Sequence, residues 1–223
     1  MSIVLYHGNC WDGFCAAWIA KNALKEPTTL MPVHYGQEPP AEAFDKERAL
    51  YIVDFSYPRD TMFKLAAMRH QPMIVLDHHK TAQQSLQDLD IELATNNCGH
   101  ALTVTFDMNK SGGRLTWEHF HAGILPPGLV DYTEDRDMWW WKLPYSREVN
   151  ANLRSYPLDF ALWDELGTHS IEALCAALKD GGAAILRRED QIVESHVRHA
   201  VPVELGGHTV PSVNATVLFS EIA

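Results

Sequence analysis

The chain has 223 residues, of which 46% are hydrophobic and 21% charged, and it carries a formal net charge of −11. That length supports one generous domain or one and a half small ones, and no stretch approaches the roughly 18 unbroken apolar residues of a membrane span. The acidic balance argues against a protein that coats long nucleic acid, because such binding neutralises many phosphates with Lys and Arg. A small phosphorylated partner stays compatible with it, since a bound divalent cation reverses the local sign.

The N-terminus runs straight into a strand pattern and has no basic-then-apolar leader, so a cytoplasmic location is expected. The four cysteines, Cys10, Cys15, Cys98 and Cys175, form no Cys-x-x-Cys pair. They read as reduced, buried thiols rather than a zinc knuckle or a disulfide framework.

In chain order, residues 2–7 form a first predicted strand ending in His7, followed by a turn through Gly8 and Gly13. An alanine-rich helix is expected over 13–24 and ends before Pro27. A second strand fits 28–35, and Pro39-Pro40 opens a short helix through 48. The run Leu50-Tyr51-Ile52-Val53 leads into Asp54, a helix follows over 59–69, and Met73-Ile74-Val75-Leu76 leads into Asp77-His78-His79-Lys80. Short continuous apolar runs rich in β-branched residues are the pattern of strands buried on both faces. Their alternation with helices implies right-handed crossovers and a parallel sheet. Beyond the first eighty residues the pattern turns helical, with helices expected over 97–109 and 115–122 and a break at Ser111-Gly112-Gly113. Pro126-Pro127 opens another helix, which carries Asp131, Asp135 and Asp137 ahead of Met138-Trp139-Trp140-Trp141. The indoles invite base stacking, although such a cluster more commonly packs a helix end on the core. Further helices are expected over 158–166, 171–178 and, after Gly181-Gly182, 183–198. Short β-like runs with a Gly206-Gly207 turn fill 201–219.

The chemistry gathers at three strand ends. In an open parallel sheet the carboxyl ends share one edge, where ligands bind, so His7, Asp54 and Asp77-His78-His79 are expected to meet in one crevice, with Asp12 close behind His7. Each residue alone has an ordinary reading: a strand-end Asp is commonly a helix N-cap, and a His a satisfied core imidazole. Together they form a mixed imidazole and carboxylate set of the kind that suits Mn²⁺, Fe²⁺, Co²⁺ or Zn²⁺. A pair of such ions can clamp the attacking and leaving oxygens of a phosphoryl displacement. Asp54 is then the natural bridge and a bridged hydroxide the nucleophile, with no Ser or Cys nucleophile required.

The segments His7-Gly8-Asn9-Cys10-Trp11-Asp12-Gly13, Asp54 after its strand, Asp77-His78-His79 and the stretch from Asp131 to Asp137 resemble the DHH phosphoesterases in order and spacing over nearly the whole chain. Ser111-Gly112, Val213-Asn214-Ala215 and Ser220-Glu221-Ile222 are similar to stretches of its cytoplasmic nanoRNase-like and exonuclease-like branch. The resemblance implies a two-metal phosphohydrolase using Mn²⁺, with Mg²⁺ or Co²⁺ as substitutes. His7, Asp12, Asp54, His78 and Asp135 stand at the family's metal positions. Asp135 is preferred over Asp131 and Asp137 because the family's acid precedes a Trp-containing segment by a few residues. His79 would contact the scissile phosphate or leaving group, and Asp77 would orient the imidazoles. Lys80 and Arg136 are candidate phosphate contacts, each with an ordinary reading as a surface cation.

Two departures stand out. The first motif offers one carboxylate, Asp12, with Phe14 where many members carry a second, and Asn9 as a weak substitute. The Gly-Gly-Gly-His stretch of the family's substrate lobe is absent, which implies an incomplete C-terminal lobe. The expectation is therefore an α/β, parallel-sheet DHH-type domain flanked by helices (1–180), a linker helix (181–200) and the start of a substrate-binding domain (201–223). The expected function is hydrolysis of phosphoesters in small nucleotides or short oligonucleotides. The alternatives are a pyrophosphatase-like phosphoanhydride hydrolase and a non-catalytic nucleotide-binding protein. No membrane partner is expected, and the oligomeric state is left open, a dimer included.

Overall fold

A computed structural model describes residues 1–98 and 101–222. Gly99 and His100, inside the predicted 97–109 helix, and Ala223 lie outside the described residues. The chain builds a five-stranded sheet in the order β2-β1-β3-β4-β5, with every neighbouring pair parallel. The strands are β1 (Ser2–His7), β2 (Thr28–Val33), β3 (Ala49–Val53), β4 (Met73–Asp77) and β5 (Leu102–Phe106). The α/β architecture is the expected one.

Successive residues of β1 serve opposite faces, because side chains alternate along a strand. Val4 and Tyr6 join one core with Trp18, Tyr132 and Trp163; Ile3 and Leu5 join another with Ile52, Met62, Leu65 and Val75. Helix α1 (Trp11–Ala23) packs on the first face and α2 (Arg59–Ala67) on the second. The chain turns one way after β1 and the other way after β3. That reversal opens a crevice at the carboxyl ends of β1 and β3, the switch point where open α/β sheets bind ligands.

After β4 come two short helices that the sequence reading missed, α3 (Lys80–Ser85) and α4 (Leu89–Thr95). The predicted 97–109 helix is instead edge strand β5. Leu102, Val104 and Phe106 alternate with Thr103 and Thr105, and the apolar set packs against the second core. That period of two, with three β-branched residues, was the overlooked signal. The helix expected over 40–48 shrinks to a single 3₁₀ turn, Ala41–Phe44.

Helices α5 (Gly112–Phe120), α6 (Gly128–Asp137), α7 (Ser146–Leu153) and α8 (Phe160–Leu166) gather on the first face. The two helices expected on either side of Gly181-Gly182 are one, α9 (Ile171–Arg198). The predicted boundary near 180 thus falls inside a helix. Glycine survives there because α7 crosses at that point: a Cβ on Gly182 would sit 1.7 Å from the Glu148 carbonyl oxygen. Beyond α9 lie an antiparallel hairpin, β6 (Val201–Leu205) and β7 (His208–Ser212), and α10 (Phe219–Ile222). No helix among the described residues is long and apolar enough to cross a membrane.

Candidate metal centre

Four expected side chains, His7, Asp12, Asp54 and His78, converge at the crevice. Asp54 is in the middle and 1% exposed. Its Oδ2 lies 3.5 Å from His7 Nδ1 and 3.4 Å from Cys10 Sγ, while its Oδ1 lies 3.2 Å from His78 Nε2. His78 Nε2 is 3.9 Å from Asp12 Oδ2 and 3.6 Å from Asp137 Oδ2. The carboxylate of Asp54 therefore turns one oxygen toward each of two donor groups, His7 with Cys10 and His78 with Asp12 and Asp137.

The backbone at Asp54 supports this placement. Its φ is +53°, a left-handed conformation that costs a non-glycine residue roughly 1–2 kcal/mol, though Asp tolerates it better than most. Its N–H still donates to the Leu76 carbonyl at 2.9 Å, so sheet pairing continues while the side chain swings into the crevice. Gly112, opening α5, makes room for it: a Cβ there would stand 2.5 Å from that of Asp54. Asp12 holds the same helix end, accepting the N–H of Gly112 at 2.6 Å and of Gly113 at 3.0 Å. Ser111 caps α5 by accepting from Arg114 N.

Asp135, expected as the fourth-motif ligand, faces elsewhere. Its two oxygens accept the backbone N–H groups of Lys142 and Leu143 at 2.9 and 3.2 Å and brace the turn after α6. Asp131 is paired with Arg114, which also meets Glu134 at 2.7 Å. Asp137 is the acid that reaches His78. Helical spacing could not separate the three, because their partners lie on other elements.

Asp77 behaves as expected for only one imidazole. Its Oδ1 accepts the backbone N–H of His78 (2.7 Å) and of His79 (3.2 Å) and meets His79 Nδ1 at 2.6 Å, while its Oδ2 takes the Ser56 hydroxyl at 2.6 Å. It orients the His79 ring and leaves the His78 ring to Asp54. Tyr35 packs edge-on against His7 and His79, with centroids 5.2 and 6.0 Å away. Arg136 lies 3.7 Å from Glu221, which Arg154 also meets, at 3.3 Å. Trp139 and Trp140 depart from the packing expectation: they are 45% and 39% exposed, and neither joins a core cluster, while Trp141 is half-buried.

No family model matches the sequence. The chain is similar to an uncharacterized protein of Acanthamoeba polyphaga mimivirus, with 31% identity over 177 residues that make up 74% of this chain and 39% of the relative. It spans about two-fifths of that relative's length.

The electrostatics test whether a cation fits. Burial, with Asp54 and Asp137 beside it, pushes the Asp12 carboxyl well above its ordinary range, and burial followed by Asp54 raises Asp137. Burial also works against ionising Asp54, but the imidazoles of His7 and His78 outweigh it and hold that carboxyl low. Burial alone would lower His78; Asp54 and Asp137 turn its shift upward, and Asp77 raises His79. Burial and the carboxylates of Asp54 and Asp12 push the Cys10 thiol far up. Among the described residues His7 Nδ1 and Asp54 Oδ1 are buried without a hydrogen-bond partner. Two buried carboxylates and a part-buried one, imidazole nitrogens and a thiol aimed at one another, with donor atoms within 4.8 Å in each of three triads, suit a divalent cation.

Proposed function

We propose that the chain is a metal-dependent phosphohydrolase of the DHH phosphoesterase kind, acting on phosphoesters of small nucleotides or short oligonucleotides. The observation that carries this reading is the carboxylate of Asp54, with one oxygen offered to each of two donor groups. His7, Asp54, His78, Asp12 and Asp137 would hold the ions, Asp137 taking the place expected for Asp135. A divalent cation bound there, Mn²⁺ first by donor type, supplies Lewis-acid activation of water and of a phosphoryl oxygen.

The remaining residues prepare the substrate side. With Nδ1 tied to Asp77, which raises its pKa and favours the protonated ring, His79 has Nε2 left to face a phosphoryl oxygen or a leaving group. Asp77 is itself held by the backbone of His78 and the Ser56 hydroxyl, and so fixes that ring. The exposed rings of Trp139 and Trp140, just beyond Asp137, support a substrate that carries a base. The net charge of −11 favours a short substrate over a long strand.

The test is turnover of bis-p-nitrophenyl phosphate with Mn²⁺, Mg²⁺ or Co²⁺. Activity should require metal and disappear in Asp54→Asn, which keeps the left-handed backbone tolerable, and in His78→Ala. A folded protein that binds nucleotides but turns over neither this diester nor pyrophosphate under any of the three ions would establish a sensor instead.

A further inference from the structure

We propose that Cys10 is itself a metal ligand, which makes one half of the centre a thiolate, imidazole and carboxylate set of Cys10, His7 and Asp54. The inference rests on reading the cluster as a metal centre and concerns which ion each half takes.

Cys10 occupies the N-cap of α1, where Ser, Thr, Asp or Asn would ordinarily accept a helix N–H. Its extended backbone (φ −118°, ψ 133°) fits that position, yet its side chain makes no cap bond. The sulfur instead points across 44 residues of sequence to Asp54 Oδ2 at 3.4 Å. His7 Nδ1 approaches the same oxygen at 3.5 Å, and the three donor atoms lie within 4.8 Å of one another. His7 Nδ1 is buried without a hydrogen-bond partner among the described residues, and the carboxylate it faces, Asp54, is 1% exposed. The half is therefore more than a cysteine near an acid.

The first motif supplies a single carboxylate, Asp12, and it is committed to the other half, where both its oxygens accept N–H groups of α5 and Oδ2 faces His78. Oxygen donors are thus scarce on the His7 side, and a sulfur stands among them. Thiolate with imidazole and carboxylate favours borderline ions such as Zn²⁺, Co²⁺ or Fe²⁺. The half built from Asp12, His78 and Asp137 is richer in oxygen and suits Mn²⁺. On binding, the sulfur–metal bond replaces the S–H bond and the thiol proton leaves to solvent. The two halves then hold different ions, and sulfur identifies which is which.

Cobalt reports sulfur ligation directly. Metal-free protein loaded with Co²⁺ should show visible ligand-field bands and a near-ultraviolet sulfur-to-cobalt charge-transfer band. Cys10→Ser should lose the charge-transfer band and keep ligand-field absorption from the other half, while Cys15→Ala keeps both. Cys10→Ala, with its fold checked by circular dichroism, serves the same comparison if the serine variant does not fold. Ligand-field bands without a charge-transfer band in the wild type, or a charge-transfer band that survives in the Cys10 variants, would overturn the assignment and leave the metal centre standing. Absence of both bands in the folded wild type would overturn the metal centre as well.

Discussion

Three aspartates of α6 share one helix and do three different jobs. Asp131 pairs with Arg114, Asp135 accepts two backbone N–H groups of the following turn, and Asp137 reaches His78. The two nearer the helix end should separate cleanly on mutation. Asp137→Asn should lower metal-dependent turnover about 100-fold or more, since even groups outside a metal's ligand set typically contribute 10–100-fold. Asp135→Asn should leave turnover nearly intact and lower stability by about 1.5 kcal/mol, the worth of a hydrogen bond to a charged group. Denaturant melts and initial rates on both variants check this, and the reverse pattern would restore Asp135 as the ligand.

The same cluster sets a pH dependence for the metal-free protein. A carboxyl whose pKa is raised by folding costs stability when ionised and returns it as it takes a proton, which describes Asp12 and Asp137. His78 and His79, also raised, contribute stability that is full below the unfolded imidazole value and is lost as pH climbs past the folded one. All of these act in one direction, so stability in chelator should grow as pH falls from about 8 to about 5. Asp54, held low, contributes stability that disappears only once pH drops below about 4. Scanning fluorimetry with chelator should show Tm rising to a maximum near pH 5 and then falling. A Tm that declines steadily from neutral pH would contradict this electrostatic picture.

Among the elements, the crossing of α7 and α9 is the tightest constraint. A methyl group at Gly182 would meet the Glu148 carbonyl oxygen at 1.7 Å, and backbone cannot yield as a flexible side chain does. Asn152 fastens the same crossing by donating to the Leu178 carbonyl at 2.7 Å. Gly182→Ala should therefore destabilise by about 1–3 kcal/mol, the usual cost of overpacking, although alanine is the better helix former. A thermal melt of this variant that matches or exceeds wild type would show that the helices separate at little cost. Strands β1, β3 and β4 were legible in the sequence because a strand buried on both faces must be continuously apolar. Edge strand β5 was less so, since its exposed threonines weaken the pattern, and the unbroken α9 was hidden by two glycines whose reason lies on α7.

For the molecule as a whole, buried like charges at the sheet edge are a cost that a cation would offset. Mn²⁺ at a hundredfold excess over its Kd should stabilise the fold by about 2.7 kcal/mol. For a chain of this size that corresponds to a rise in Tm of roughly 5–10 °C. Asp54→Asn should abolish the rise, and a wild-type melt unmoved by Mn²⁺, Co²⁺ or Zn²⁺ would argue against any tight site at this edge.

The amino-acid sequence by itself determined which strands are buried and that His7, Asp54 and Asp77-His78-His79 end them, because apolar continuity is a local property and strand ends follow from it. Only the tertiary structure decided that Asp137 rather than Asp135 meets His78, that Cys10 faces Asp54, and that α9 runs unbroken past its glycines. A carboxylate or thiol can serve equally as ligand, ion-pair partner, cap or brace, and what selects among these is the group that arrives from a distant part of the chain.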